Sequence, residues 1–278
     1  MVTYVDKFTV FSINWHFKSI KKDKVFMLIN IAGNFLQNYS SESITIITIL
    51  ICYLMIGVAL KTWGKAGLFA YSAIAVIASN IQILTAAEFS IYPEPIVLGT
   101  VIYSSVFLAN DLLTERYGSL IAKKSVLLSF FSTTILLVFM ILTLGYRPLP
   151  KIPEYSFYLE SRHAIEVIFS PNIAILFASQ SAYIISQFSD IGIFANLKKT
   201  AFKYLWARAF LSVAIGALID SLIFNFLAWR VFADQPVATA HLFNHYILGN
   251  YFLQVVIALI NIPIFYFILR LTRAQSYE

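Results

Sequence analysis

Asp220, in the segment LIDSLIFNFLAW, places a carboxylate near the middle of an apolar stretch. At membrane depth such a group costs roughly 2.5–3.5 kcal/mol on insertion scales, so it belongs against a polar interior or a substrate rather than against lipid. Arg208 lies in the same stretch, twelve residues earlier. That separation is about 18 Å of helix rise, too far for a direct pair. Arg208, near the stretch's end, can snorkel to the interface. Asp220 cannot, and needs a proton, a helix neighbour or a ligand. Asn225 lies just beyond it.

Other polar groups recur inside or beside apolar runs. In FLANDLLTERYGSLIAKK, Asp111 and Glu115 are four apart and share a helix face at a membrane boundary. They read either as a solvated helix end or as a gate, with carboxylates pairing with basic residues in one conformation and releasing them in another. Asn172, Gln180 and Gln187 precede Asp190 in a run ending SQFSDIGIFANLKK. Gln180 and Gln187, seven apart, lie on nearly one helical face. They can hold helices together, at about 0.6 kcal/mol per contact, or form the polar wall of a substrate cavity. Asn250, Gln254 and Asn261 fall at i, i+4 and i+11, a single polar stripe. Asn80 and Gln82 are comparable but less ordered. His241 and His245 stand at metal-ligand spacing if helical, but no third ligand follows at motif spacing, so no metal is expected. HExxH, Walker A, GxSxG and dinucleotide-binding patterns are missing, so neither an enzyme nor a cofactor is expected.

Positioning these groups falls to seven apolar segments, placed at 44–60, 66–87, 96–113, 125–145, 164–188, 204–229 and 246–269. Each approaches the ~20 residues that a spanning helix needs. Apolar residues make up 59% and charged residues 12% of 278, which excludes an ordinary soluble domain. The net charge of +6 therefore reads as basic loops facing an anionic leaflet rather than as a nucleic-acid surface. Cys52 alone can form no intrachain disulfide. Pro171 starts or kinks a helix inside the fifth segment. Trp63, Trp206 and Trp229 sit at segment ends like interfacial anchors. Counted on alternate sides, Lys61, Lys65, Arg116, Lys123, Lys124, Lys198, Lys199, Lys203, Arg270 and Arg273 fall together. Arg147, Lys151, Arg162 and Arg230 fall opposite. The first side is expected in the cytoplasm, with the C-terminus. The expected class is an all-α integral membrane protein, a bundle of about six to seven transmembrane helices. Residues 1–43 form an N-terminal extension with an interfacial piece near Val25 to Leu36, on a side left open. The membrane domain covers 44–270, and a short cytoplasmic tail covers 271–278.

In the order and spacing of ASN (Ser79, Asn80), NDLLTERYG, SQFSDIGIFANLKK, LWAR and LIDSLIF, over roughly residues 60–270, the chain resembles the queuosine precursor transporters, a vitamin-uptake-type family. The resemblance implies a multi-helix importer in the cell inner membrane, carrying 7-deazaguanine bases that complete queuosine in tRNA. Asn80, Asp111, Glu115, Gln187, Asp190, Arg208 and Asp220 match recurring polar positions. Asn110, Ala217, Gln254 and Asn261 depart from the family pattern, which bears on the exact base and on any ion coupling. On this reading Asp220, Gln187, Asn80, Gln254 and Arg208 bind substrate, while Asp111, Glu115 and Asp190 gate. A guanine-like edge offers two adjacent N–H donors and a carbonyl, so Asp220 can accept both donors while an amide or Arg meets the carbonyl. Phe and Tyr rings would cover its flat faces.

Three rival readings stay open. The chain is a substrate-binding subunit served by an energising partner or a second copy, with Ala66, Ala70 and Ala73 allowing a close helix contact. Or it is a structural membrane subunit, or an intramembrane enzyme, which lacks a second acid at motif spacing. Proton coupling and facilitated diffusion are both compatible with the sequence. The expected partners are a nucleobase-like small molecule and lipid, with no direct nucleic acid.

Overall fold

A long helix, α1 (Ser41–Gln82), opens the bundle. As one straight rod its 42 residues would reach about 63 Å, twice a bilayer's hydrocarbon thickness. At Gly64 the backbone leaves the helical region (φ 57°, ψ −134°). Gly67 then lies so close to Ala59 that a Cβ would overlap the Ala59 carbonyl. Residues eight apart in a straight helix are about 12 Å apart. The chain therefore reverses at Gly64, and α1 is two spans joined by a tight turn, at the Lys61–Lys65 break expected from the sequence.

The computed structural model describes residues 27, 31, 33–169, 173–200, 204–233, 238 and 242–272. Most of the N-terminal extension, Pro171, Asn172, Lys203, His241, and the tail from Arg273 onward lie outside them. Two units are distinguished, 1–44 and 45–278. In the first, residues 33–36 are helical and the Phe35 and Tyr39 rings meet edge to face.

After α1 comes a hairpin that the sequence reading lacks. Strands β1 (Ala86–Phe89) and β2 (Tyr92–Val97) pair antiparallel, Ala87 opposite Ile96 and Phe89 opposite Tyr92. Phe89 and Ile96 turn into the core, while Pro93 and Pro95 face outward, where an edge strand tolerates missing N–H donors. Helix α2 (Gly99–Tyr117) ends at Gly118, whose φ of 88° lets the chain turn directly into α3 (Ser119–Gly145). The fifth expected segment proves to be two helices. Helix α4 (Ser156–Phe169) has no buried residue, and α5 runs Ile173–Lys199. Arg162 of α4 ties this helix to the end of α3, donating to the carbonyls of Leu144 (2.7 Å) and Tyr146 (2.9 Å). Helix α6 (Leu205–Phe226) continues as a π-helical turn to Val231, and a second π turn leads into α7 (Leu248–Thr272).

Four of these elements, α1, α3, α6 with its π turn, and α7, are long and apolar enough to cross a membrane, and the protein is a multi-pass membrane protein. Helices α2 and α5 are less apolar because they hold the interior. Fourteen of the 19 residues of α2 are buried, among them Ser104, Asn110 and Asp111. Shielded from lipid by the outer helices, they can carry polar groups that a lipid-facing helix cannot. Gly216 lets α6 pack closely on α2 and α5. A Cβ there would stand 3.0 Å from Phe107 and 3.1 Å from the Asp190 Cβ.

Candidate functional site

The bundle has two distinct ends. At one, the Gly64 turn meets Tyr117, and the last residues of α2, α5 and α7 gather with the start of α6. This is the end that collects the described members of the first group of lysines and arginines. At the other, the β hairpin covers the start of α7. The Tyr92 ring stacks on Phe252 at 5.9 Å and fills the space above Gly249.

Beneath the hairpin lies a small cavity of about 50 Å³. Its wall combines Asn80 from α1, Thr100 and Tyr103 from α2, Ser179 from α5, Asp220, Ser221, Phe224 and Asn225 from α6, and Asn250 and Gln254 from α7. Asp220 is half-buried. Its Oδ1 accepts hydroxyls from Tyr103 (2.8 Å) and Ser186 (3.2 Å), which are themselves 3.0 Å apart. Gln254 turns its amide to the same carboxylate, and its own Oε1 is buried without a partner. Asn225 donates to the Ser221 carbonyl at 2.8 Å, leaving its Oδ1 and the Ser221 hydroxyl unpartnered as well. Asn80 is spent: it donates to the Val76 carbonyl and accepts from Ser179. The unspent groups in this wall are thus mainly acceptors, able to take N–H donors.

The residues expected to gate lie at the basic end, together with Arg208. Glu115 pairs with Lys198 at 3.0 Å and Arg208 at 3.2 Å, and Lys198 also donates to the Glu115 carbonyl at 2.9 Å. Arg116 donates to the Thr272 carbonyl, closing α2 against α7. Arg208 lies over the Phe194 ring, 5.4 Å from its centre. Asp111 and Asp190 sit deeper, 2% and 0% exposed. Asp190, Glu115 and Arg208 are all within electrostatic reach of Asp111.

Of the five residues expected to bind substrate, Asp220, Asn80 and Gln254 come together in the cavity wall. Gln187 and Arg208 do not. Gln187 is fully buried behind the wall, accepting a hydrogen bond from Asn110 at 2.7 Å, and Arg208 is drawn to Glu115 at the far end. Asn261 leaves the polar stripe of α7 to accept the Tyr53 hydroxyl at 2.6 Å. Tyr103, Ser186, Ser221 and Asn225 were not singled out as site residues. A signal existed for Tyr103, which shares one face of α2 with Asn110 and Asp111; serines in apolar helices carry none.

Residues 97–268 match the model of a family described as "Putative vitamin uptake transporter". A Bacillus subtilis (strain 168) protein named "Probable queuosine precursor transporter" is 28% identical over 231 residues, 81% of this chain and 93% of that protein. No solved structure matches. The matched region carries every cavity residue from Val97 onward and the whole acidic and basic cluster.

Proposed function

From the premise that the chain belongs to this family of vitamin uptake transporters, we propose that it imports 7-deazaguanine bases across the cell inner membrane for completion of queuosine in tRNA. The observation that carries this reading is the acceptor-rich wall around Asp220. Its Oδ1 is held by two hydroxyls and Gln254 turns its amide to the same carboxylate, whose remaining lone pairs can take N–H donors of a guanine-like edge. Asn225 Oδ1 and Gln254 Oε1 offer further acceptors, and Tyr103 and Phe224 supply aromatic walls. The name of the Bacillus subtilis relative supports the same substrate class.

The basic end faces the cytoplasm on this reading, as the excess of lysine and arginine dictates. Glu115, bridged to Lys198 and Arg208, is then the closed inner gate, and the cavity opens outward. Asp111 and Asp190 stand behind that gate. The test is equilibrium binding of labelled 7-deazaguanines to the purified chain, with adenine as the control. Tight binding of a deazaguanine, lost in Asp220→Asn while adenine stays weak throughout, supports the assignment; equal binding of both bases by wild type sinks it.

A second reading has one observation in its favour. A groove between the halves of α1, lined by Ala59, Ala66, Gly67 and Ala70, would admit a partner helix. Uptake by the chain alone in liposomes excludes an obligatory energising subunit.

A further inference from the structure

Between the cavity and the inner gate lies a polar core that substrate binding does not use. Asp190 is fully buried, and neither of its carboxylate oxygens receives a hydrogen bond. Ser212 stands beside it but gives its hydroxyl to the Ala209 carbonyl at 3.3 Å. Oδ1 of Asp111 and Oδ1 of Asn110 are likewise buried and unpartnered. Facing these four oxygens, the unspent nitrogens are Nε of Arg208, a residue 8% exposed, and Nε2 of Gln187. Acceptors outnumber donors among these buried side-chain atoms. A carboxylate buried with no partner persists only if it takes up a cation.

A proton suits the site better than a metal ion. Arg208 already stands within reach of Asp111, so a second fixed cation would be repelled, whereas a proton removes charge by bonding to one oxygen. Among the described residues no group of three or more acidic, histidine or cysteine side chains is arranged to hold a metal. The surrounding elements add few other charges. From α2 there are Glu115 and Arg116, whose guanidinium donates to the Thr272 carbonyl and keeps a buried, unpartnered Nη1, and from α5 Lys198, which is committed to Glu115. The buried polar face of α7 carries only amides and Thr272, and that of α3 only Ser125, Ser129 and Thr133.

Resting on the transport reading above, we propose that Asp190 and Asp111 form a proton-binding site coupling proton entry to base import, with Arg208 as the charge that evicts the proton when the Glu115 gate opens. Arg208 is shared between the two functions. While its Nη2 is engaged with Glu115, the carboxylates behind it lack a full counter-charge and hold the proton as an O–H bond. Once Glu115 releases it, the guanidinium pairs with a carboxylate, that O–H bond breaks, and the proton leaves to cytoplasmic water. The proton enters from the cavity side by way of the Asp220, Tyr103 and Ser186 hydrogen bonds, with Gln187 lying between Tyr103 and Asn110. Nothing is oxidised or reduced.

Two measurements on the full chain test this. In nanodiscs, infrared difference spectra against pH should contain a protonated-carboxyl band that Asp190→Asn removes and Asp111→Asn shifts. Absence of such a band in wild type, or its persistence in both variants, overturns the site. In proteoliposomes, an inward gradient of one pH unit should sustain about tenfold accumulation of labelled base for one proton per base. Asp190→Asn should bring accumulation to equality while base exchange across the membrane continues, which also shows that the variant is folded. Accumulation by Asp190→Asn equal to wild type, or accumulation driven by a sodium gradient instead, overturns the coupling. A wild-type chain that exchanges no base defeats the substrate assignment instead, and the infrared band then decides the proton site by itself.

Discussion

Replacing Asp220 by Asn changes almost no volume but reverses the chemistry of one atom. Tyr103 and Ser186 both donate to Oδ1, so the Asn side chain keeps its oxygen there and turns its NH₂ to the position of Oδ2. A ligand N–H that had met a carboxylate then meets another donor. Loss of a charge-assisted hydrogen bond costs about 1.5–3 kcal/mol, and a buried unpaired N–H about 1–3 kcal/mol more. The sum is about 2.5–6 kcal/mol, and at about 1.4 kcal/mol per decade this is a factor between about sixty and about twenty thousand in Kd. Asp220 is only half-buried, so solvent screening favours the lower end, near a hundredfold. Titration calorimetry with the detergent-solubilised chain measures it directly, and the melting temperature checks that the fold is intact. A change under about tenfold would refute the reasoning, because the amide would then have turned over or the base would be held elsewhere.

Gln254→Leu removes an acceptor now buried without a partner and also the amide that faces Asp220, so the melting temperature should change little while base binding weakens by about 1–2 kcal/mol, five- to thirtyfold by calorimetry; unchanged affinity would place the ligand away from α7. Glu115→Gln breaks one ion pair with the exposed Lys198 and one with the buried Arg208, so stability should fall by more than the ~1 kcal/mol of a surface pair. The same variant should expose the core beneath the gate, seen as faster labelling of a cysteine placed at Ala109 from the cytoplasmic side; unaltered labelling would mean that Glu115 holds no gate. Gly64→Ala puts a Cβ at φ 57° and against the Tyr117 hydroxyl at 3.3 Å, costing about 1–2 kcal/mol and lowering the melting temperature, with Gly33→Ala, whose Cβ would touch nothing, as the unchanged control. An unshifted melting temperature in Gly64→Ala would argue against the reversal inside α1.

The spans were legible because hydrophobicity over some twenty residues is set by the bilayer, and the lysines at 61 and 65 marked a reversal inside what is formally one helix. The β hairpin was not, since YPEPIV has neither the length nor a turn dipeptide to set it apart from helix ends. The break between α4 and α5 was blurred because α4 is amphipathic and runs into an apolar start. Asp220 was legible for an energetic reason, a charge where charge is expensive. Ser186 and Ser221 were not, because serine hydroxyls in helices commonly satisfy themselves on a carbonyl one turn back, as Ser104 and Ser129 do here. Arg208 shows the limit of reading charge without depth. Its type fits a substrate carbonyl, and only the position of Glu115 on a neighbouring helix shows where its guanidinium goes.

The central claim, that this chain delivers a 7-deazaguanine base for queuosine, is tested most directly in cells that can neither make nor import queuosine precursors. The chain would be expressed there with each candidate base at low concentration, and queuosine measured in tRNA. The account predicts that one base restores queuosine and that Asp220→Asn, present in the membrane at the same level, does not. Queuosine absent with every base, while the wild-type chain is in the membrane, would contradict it.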